Sequence, residues 1–110
     1  MNLSVLLSVY NKENPSYLAK SLDSIFSQTL FPTEVILVKD GPLYNELDSV
    51  IDLYVSRYPN LKVFSLLTNQ GLGKALNEGL KHCSYDIVAR MDTDDIACLL
   101  YTSDAADELI

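Results

Sequence analysis

The feature that most restricts the fold of this chain is an alternation of apolar, strand-like runs with amphipathic helical patterns. The runs begin at Leu3, Glu34, Leu61 and Asp86, and a helical pattern occupies each interval between them. Strands separated by helices pair in parallel through crossover connections, which cover both faces of the sheet. The order therefore predicts a β-α-β-α-β-α-β chain in a Rossmann-like, three-layer α/β/α architecture with a mostly parallel sheet.

The helical patterns carry their own start signals and apolar faces. Asn14-Pro15 is typical of an N-cap followed by the first helical residue. Apolar residues then recur with helical spacing in all three intervals. The predicted inward positions are Leu18, Leu22, Ile25 and Phe26 in the first helix, Leu47, Val50, Ile51, Tyr54, Val55 and Tyr58 in the second, and Leu72, Ala75, Leu76, Leu80 and Cys83 in the third.

Composition limits the class of protein. The chain has 110 residues, of which 48% are hydrophobic, enough for the core of one small domain or of part of a larger one. No apolar run approaches the roughly 20 residues that span a bilayer, and no signal-peptide pattern follows Met1, so we expect a cytoplasmic protein. The net charge of −7 argues against a nucleic-acid partner.

The cysteines and the single histidine give little functional signal. Cys83 and Cys98 lack the spacing of a zinc site, and we expect buried free thiols rather than a disulfide. His82 falls late in the third helical pattern, which favours a role at the helix end over a catalytic one.

Polar residues follow the carboxyl ends of the predicted strands. Because parallel strands end at one edge of a sheet, and ligands bind beyond that edge, these side chains should lie together. The residues concerned are Tyr10, Asn11, Asp40, Asn69 and Asp92 to Asp95.

The run from Asp86 to Asp95 is typical of a buried strand that ends in three clustered acids, Asp92, Asp94 and Asp95. Clustered carboxylates repel one another, and a hard divalent cation shared with a phosphate relieves that repulsion. The alternative is a solvated acidic loop that caps a following helix. The position of the acids, on the same predicted edge as Asp40 and Tyr10, favours the metal site.

Several residues at this edge have two interpretations. The glycine loop Gly71-Leu72-Gly73-Lys74 matches neither a P-loop nor a dinucleotide fingerprint. It is either a helix N-terminus that binds a phosphate or a glycine turn with Lys74 in solvent. Asp40 is either an acceptor for a base N–H or a turn residue before Gly41. Tyr10 is either a stacking surface for a base or an ordinary strand-end residue. Arg90, in a predicted buried strand, requires an anionic partner, which favours a role in holding the acidic loop.

Five segments in series resemble the N-terminal half of inverting family 2 glycosyltransferases, which have the GT-A fold. The amino-acid sequence of these segments is similar to that of bacterial exopolysaccharide transferases of the amylovoran type. The matching segments, in the order of the family, are Ser4 to Asn11, Ser21 to Ile25, Val38 to Pro42, Asn69 to Asn77 and Ala89 to Ile96.

The resemblance implies a role for each matching position. Tyr10 and Asp40 would contact the nucleotide base, Asp92 would face the ribose or sugar, and Asp94 would ligate Mn²⁺ or Mg²⁺. Lys74 and Arg90 match basic positions near the donor. The implied reaction transfers a sugar with inversion from a nucleotide-diphosphate sugar, most commonly a UDP-sugar, to a glycan or lipid-linked acceptor in surface polysaccharide synthesis. The full-length parent would then work at the inner face of the cytoplasmic membrane.

The resemblance stops at Ile96. We expect residues 1–96 to be the nucleotide-sugar-binding half of a GT-A domain, truncated after the fourth strand, and residues 97–110 to be a non-native tail resembling translated adapter sequence. No general base is expected in this chain, so the fragment should be inactive by itself. The alternatives are a non-catalytic nucleotide-sugar-binding module and a receiver-like signalling domain, although the latter needs acids after its first and third strands.

Overall fold

The computed structural model describes residues 2–27, 31–91 and 99–102. The helices and strands alternate in the predicted order, and one further strand follows. The elements are β1 (Ser4–Val9), α1 (Pro15–Phe26), β2 (Glu34–Lys39), α2 (Asn45–Arg57), β3 (Leu61–Ser65), α3 (Leu72–His82), β4 (Ile87–Arg90) and β5 (Leu99–Thr102).

The strands form one sheet in the order β3-β2-β1-β4-β5. The first four strands are mutually parallel, with Ser4 beside Glu34 on β2 and beside Val88 on β4. β5 pairs antiparallel with β4. The predicted fold class, a Rossmann-like α/β/α arrangement with a mostly parallel sheet, is confirmed. β5 was not among the predicted strands and falls within the segment that we expected to be a non-native tail.

The core lies on both faces of the sheet because the central strands are buried on both sides. All six residues of β1 are buried, as the continuous apolar pattern predicts. On one face, Leu7 and Leu37 pack with Leu22 of α1 and Ile51 of α2. On the other, Leu6, Ile36 and Val38 pack with Ala75 and Leu76 of α3. α1 and α2 therefore cover one face, and α3 covers the other.

The helix starts follow local chemistry. Asn14 caps α1 as predicted, since its Oδ1 accepts hydrogen bonds from Ser16 N at 2.8 Å and Tyr17 N at 3.3 Å. α2 carries Glu46 and Asp48 in its first turn, where negative charge complements the helix dipole.

Two predicted inward positions are wrong. Val55 of α2 is 40% exposed, because Leu47, Ile51 and Tyr54 already fill the stripe that faces α1 and the sheet. Leu72 is 49% exposed, because it is the first residue of α3 and the helix contacts the sheet only from Ala75 onward. None of the helices in the described ranges has both the length and the apolar composition for crossing a bilayer.

Candidate functional site

The sheet reverses its strand order next to β1, and this reversal locates the candidate site. β2 and β3 extend the sheet to one side of β1, whereas α3 carries the chain to β4 on the other side. In open parallel sheets, such a switch point opens a crevice beyond the carboxyl ends of the two strands. Tyr10 follows β1 at this point and is 40% exposed. Met91, which follows β4, donates its N–H to Leu6 O of β1 at 2.9 Å.

Asp40 lies at the carboxyl end of β2, as predicted, but its carboxylate already accepts two backbone hydrogen bonds. The residue is 3% exposed. Its Oδ1 accepts a hydrogen bond from Gln70 N at 2.7 Å, and its Oδ2 accepts one from Gly71 N at 3.1 Å. Each carboxylate oxygen has a second acceptor site, which leaves capacity for a hydrogen bond from a base N–H. No sequence pattern marks these two backbone partners.

Gly41 brings the same two loops into van der Waals contact. Its φ of 90° is in the left-handed region, where glycine is favoured. A Cβ built on Gly41 would lie 2.6 Å from Asn69 N, so the backbones meet with no room for a side chain. The Asp40-Gly41 turn is thus fitted to the loop that leads into α3.

A second pair of loops is joined beside β1. Asn11 Oδ1 accepts a hydrogen bond from Tyr44 N at 2.8 Å, and the Tyr44 hydroxyl donates to Glu13 O at 3.0 Å. The predicted edge residue Asn11 therefore connects the loop after β1 to the loop after β2. Tyr44 and Glu13 were not predicted at this edge, since nothing in their local sequence marks contacts between residues so far apart in the chain.

The two basic residues predicted near the donor lie in different environments. Lys74 is in the first turn of α3 and is exposed. No carboxylate in residues 2–27 or 31–91 forms a salt bridge with it. Arg90 is half-buried on β4, aligned with Leu6 of β1. Strand alternation puts it on the same face as Val88, which packs against α3.

The predicted acidic motif lies outside the described residues. Asp92, the sugar- or ribose-facing residue, and Asp94, the metal ligand, both belong to that segment, as does Asp95. Among the described residues, no group of three metal-ligating side chains comes together. The chemistry of the motif nevertheless suits Mn²⁺ or Mg²⁺, because hard divalent cations prefer carboxylate oxygens.

The opposite, amino-terminal edge of the sheet has a separate polar cluster around Glu34. Its carboxylate accepts from Ser4 Oγ at 2.7 Å, from Ser84 N and from Lys62 Nζ at 3.3 Å. Burial alone would raise the pKa of Glu34, but these hydrogen bonds and the Lys62 charge outweigh burial and lower it. Burial, followed by the nearby charge of Glu34, raises the pKa of Cys83 to about 12, so its thiol stays protonated at neutral pH.

At the carboxyl edge, the geometry suits a ligand that combines a ring system with negative charge. Tyr10 offers an exposed aromatic surface, Asp40 offers a carboxylate at the end of β2, and Lys74 offers a cation that no carboxylate of the described ranges neutralises. Aromatic stacking, a carboxylate and a cation are complementary to the base and phosphates of a nucleotide.

Comparison with known proteins identifies the family. The family model described as glycosyl transferase family 2 matches residues 4–97, which is most of the chain. The chain belongs to glycosyl transferase family 2. This assignment confirms the predicted family and decides against the receiver-domain alternative.

Bacterial members of family 2 are similar in sequence. The chain is 50% identical over 93 residues to an Escherichia coli enzyme named UDP-Gal:alpha-D-GlcNAc-diphosphoundecaprenol beta-1,3-galactosyltransferase, covering 84% of this chain and 34% of the relative. It is also 50% identical over 96 residues to the amylovoran biosynthesis glycosyltransferase AmsE of Erwinia amylovora, covering 87% of this chain and 35% of the relative. The chain thus spans about a third of the length of these family 2 relatives.

Solved structures support the GT-A fold. The S. aureus protein TarS 1-349, crystallised in complex with UDP-GlcNAc, matches with a TM-score of 0.72 and 34% identity over 86% of this chain and 27% of the neighbour. The mannosyltransferase PcManGT from Pyrobaculum calidifontis, in complex with GDP-Man and Mn²⁺, matches with a TM-score of 0.73 and 24% identity over 84% of this chain and 27% of the neighbour. At that identity, the second match shows the fold alone.

Proposed function

We propose that this family 2 chain is the donor-binding half of a glycosyltransferase. The whole enzyme would transfer a sugar from a nucleotide-diphosphate sugar to a glycan or lipid-linked acceptor in bacterial surface polysaccharide synthesis. The observation that carries the proposal is that Tyr10, Asp40 and the end of β4 follow the carboxyl ends of three adjacent strands at the switch point of a parallel sheet.

The described residues would divide the binding of the donor among them. Tyr10 would stack on the base, because its ring is exposed at the end of β1. Asp40 would accept a base N–H through a remaining lone pair. Lys74 and Arg90 would lie near the phosphates, where their positive charges attract the negative charges of the diphosphate.

The acidic motif would complete the donor site. Asp92 would face the ribose or sugar, and Asp94 would hold Mn²⁺ or Mg²⁺. A divalent cation bound there would offset the charge that develops on the departing nucleoside diphosphate. The transfer itself would be an inverting displacement in which an acceptor hydroxyl, deprotonated by a general base, attacks the anomeric carbon.

UDP is the donor nucleotide proposed for this site. Its support is the 50% identity to a UDP-Gal-named galactosyltransferase and the 34% identity to TarS, which was crystallised with UDP-GlcNAc. The relatives' names also mention a diphosphoundecaprenol-linked acceptor and amylovoran. A lipid-linked acceptor would bring the parent protein to the inner face of the cytoplasmic membrane as a peripheral protein.

We further propose that residues 97–110 are not native and that the general base belongs to a segment absent from this chain. The family match ends at residue 97, within one residue of this proposed boundary. The 110-residue chain should then bind UDP without transferring sugar. An extended polypeptide, in which residues 1–96 are followed by the sequence that the genome encodes after Ile96, should transfer it.

A transfer assay with UDP-galactose and UDP-N-acetylglucosamine tests the proposal on both polypeptides. UDP release that needs both Mn²⁺ and an undecaprenyl-diphosphate-linked acceptor, and that appears only with the extended polypeptide, is the expected result. Transfer by the 110-residue chain would refute the fragment assignment. Tight UDP binding without transfer by the extended polypeptide would instead favour the second candidate, a non-catalytic nucleotide-sugar-binding module.

A further inference from the structure

The contact between β2 and the entry to α3 joins two parts of the proposed donor site. Asp40 Oδ2 accepts a hydrogen bond from Gly71 N at 3.1 Å. Gly71 is the N-cap of α3, and its carbonyl accepts the first helical hydrogen bond from Ala75 N at 3.0 Å. Lys74 lies within that first turn. A continuous path of hydrogen bonds therefore leads from the end of β2 to the turn that carries Lys74.

No side chain of its own caps the described start of α3, since Gly71 supplies none. The carboxylate of Asp40 reaches this end from another loop and accepts from the N–H groups of Gln70 and Gly71. Asn69 Oδ1 also accepts from Gly71 N, at 3.2 Å. A buried negative charge at this end also complements the positive end of the helix dipole. Gly41 adds a steric contact, because its backbone lies against Asn69 too closely for a Cβ.

From these contacts we propose that Asp40 is a positioning residue, which fixes the start of α3 against β2 and thereby sets the place of Lys74 at the donor phosphates. This inference rests on the proposed function, in which Lys74 binds the donor. It adds to the direct contact between Asp40 and the base a second role that acts through the backbone of Gln70 and Gly71.

The two roles of Asp40 predict different couplings to Lys74. A direct base contact is independent of Lys74, so the losses from Asp40→Asn and Lys74→Ala would multiply. Positioning makes them overlap, because Lys74 is already displaced when the carboxylate is weakened. The Asp40→Asn substitution keeps the size of the side chain but leaves one acceptor oxygen in place of two, so residue 40 can hold only one of the two N–H groups.

Calorimetric titration of the 110-residue chain with UDP and Mn²⁺ measures this coupling. We expect Lys74→Ala to weaken UDP binding by about tenfold, Asp40→Asn to weaken it by at least as much, and the double variant to bind little more weakly than Asp40→Asn alone. A further loss of about tenfold on adding Lys74→Ala to Asp40→Asn would overturn the positioning role. Absence of UDP binding by the unchanged chain would instead refute the proposed function.

Gly41→Ala tests the positioning of α3 against β2 without changing the Asp40 carboxylate. It replaces Asp40→Asn in the titrations if that variant does not fold. The added Cβ would push Asn69 away and should weaken UDP binding, again without further loss on adding Lys74→Ala. Gln70→Ala is the matched control, since it retains the backbone N–H that Asp40 accepts.

Amide hydrogen exchange gives a readout of the positioning role that needs no ligand. Exchange at Gly71 and Ala75 should become faster in Asp40→Asn and stay unchanged in Gln70→Ala, because only the first substitution removes an acceptor from the start of α3. Unchanged exchange in Asp40→Asn would contradict the proposal irrespective of any ligand.

Discussion

Ser4, the first residue of β1, donates its hydroxyl hydrogen to Glu34, the first residue of β2, over 2.7 Å. Glu34 also accepts from the Ser84 N–H, which lies just before β4 in the chain. One buried carboxylate thus joins the starts of neighbouring strands with the segment that enters the next strand. It lies at the amino-terminal edge, away from the donor site, so its contribution can be measured as stability alone.

Replacement of Glu34 by alanine should lower the free energy of unfolding by about 2 to 3 kcal/mol, because the buried Ser4 hydroxyl and the Ser84 N–H both lose their acceptor. Glu34→Gln should cost less, since an amide oxygen still accepts one hydrogen bond. Urea unfolding followed by circular dichroism measures the difference. Asp52→Asn, an exposed change in the middle of α2, is the control and should stay close to the unchanged chain. Equal stability of Glu34→Ala and the control would contradict this role.

The lowered pKa of Glu34 also predicts an acid dependence of stability. A carboxyl with a depressed folded pKa contributes stability above its unfolded value, and that contribution is lost as the pH falls through the folded value. The ordinary pKa of this carboxyl is 4.5, so the contribution should be complete above that pH and decline below it. Urea titrations from neutral to acidic pH should show a steeper decline for the unchanged chain than for Glu34→Gln. Parallel curves would disprove the assignment.

Tyr54 of α2 connects the two helices on one face of the sheet. Its hydroxyl donates to Asp23 Oδ1 and lies 3.2 Å from Ala19 O. Burial, followed by the hydrogen bond to Asp23, raises the pKa of Tyr54 to about 12. Because the folded pKa is above the unfolded value of 10.0, this stabilisation is complete below pH 10 and lost as the pH rises towards 12.

Tyr54→Phe should therefore lower the free energy of unfolding by about 1 kcal/mol at neutral pH and flatten its alkaline decline. Tyr58→Phe is the matched control, since Tyr58 stacks on Phe26 at 3.8 Å and no hydrogen bond of its hydroxyl is found among the described residues. Unfolding experiments from neutral to alkaline pH test the pair. Indistinguishable behaviour of the two variants would refute the role of the Tyr54 hydroxyl.

Gly79 allows α3 to lie close against the sheet. A Cβ at this position would collide with Leu6 Cδ1 and come within 3.0 Å of Val38 Cγ2. Gly79→Ala should therefore cost about 1 to 3 kcal/mol through overpacking. Gly73→Ala, in the same helix, meets nothing within 4 Å and should stabilise by up to about 1 kcal/mol. Thermal unfolding should shift in opposite directions, and a gain in stability for Gly79→Ala would be inconsistent with this packing.

The features that could be predicted from the sequence are those with local signals. Apolar periodicity is a property of neighbouring residues, so the order of β1 to β4 and the Asn14 cap could be read directly. The placement of Tyr10 and Asp40 at one edge followed from parallel topology alone. The exposure of Val55 could not be predicted from the sequence. An apolar residue beside the buried face of a helix has the same spacing pattern as one within that face.

The contacts that organise the candidate site lacked such signals. Asp40 bonds to Gln70 and Gly71, which are distant in the chain, and the pattern Asp-Gly suggests only a turn. Asn11 likewise meets Tyr44 through a backbone N–H, which every residue except proline possesses. Backbone partners leave no mark on side-chain identity, so this part of the site required the three-dimensional structure.

The most direct test of the central claim is the dependence of UDP affinity on Mn²⁺, measured by calorimetry on the 110-residue chain. We predict binding roughly tenfold or more tighter with Mn²⁺ than without it, loss of that difference in Asp94→Asn, and its retention in Asp95→Asn. The same affinity with and without Mn²⁺, or an undiminished effect of Mn²⁺ in Asp94→Asn, would contradict a metal-assisted nucleotide-sugar site at the end of β4.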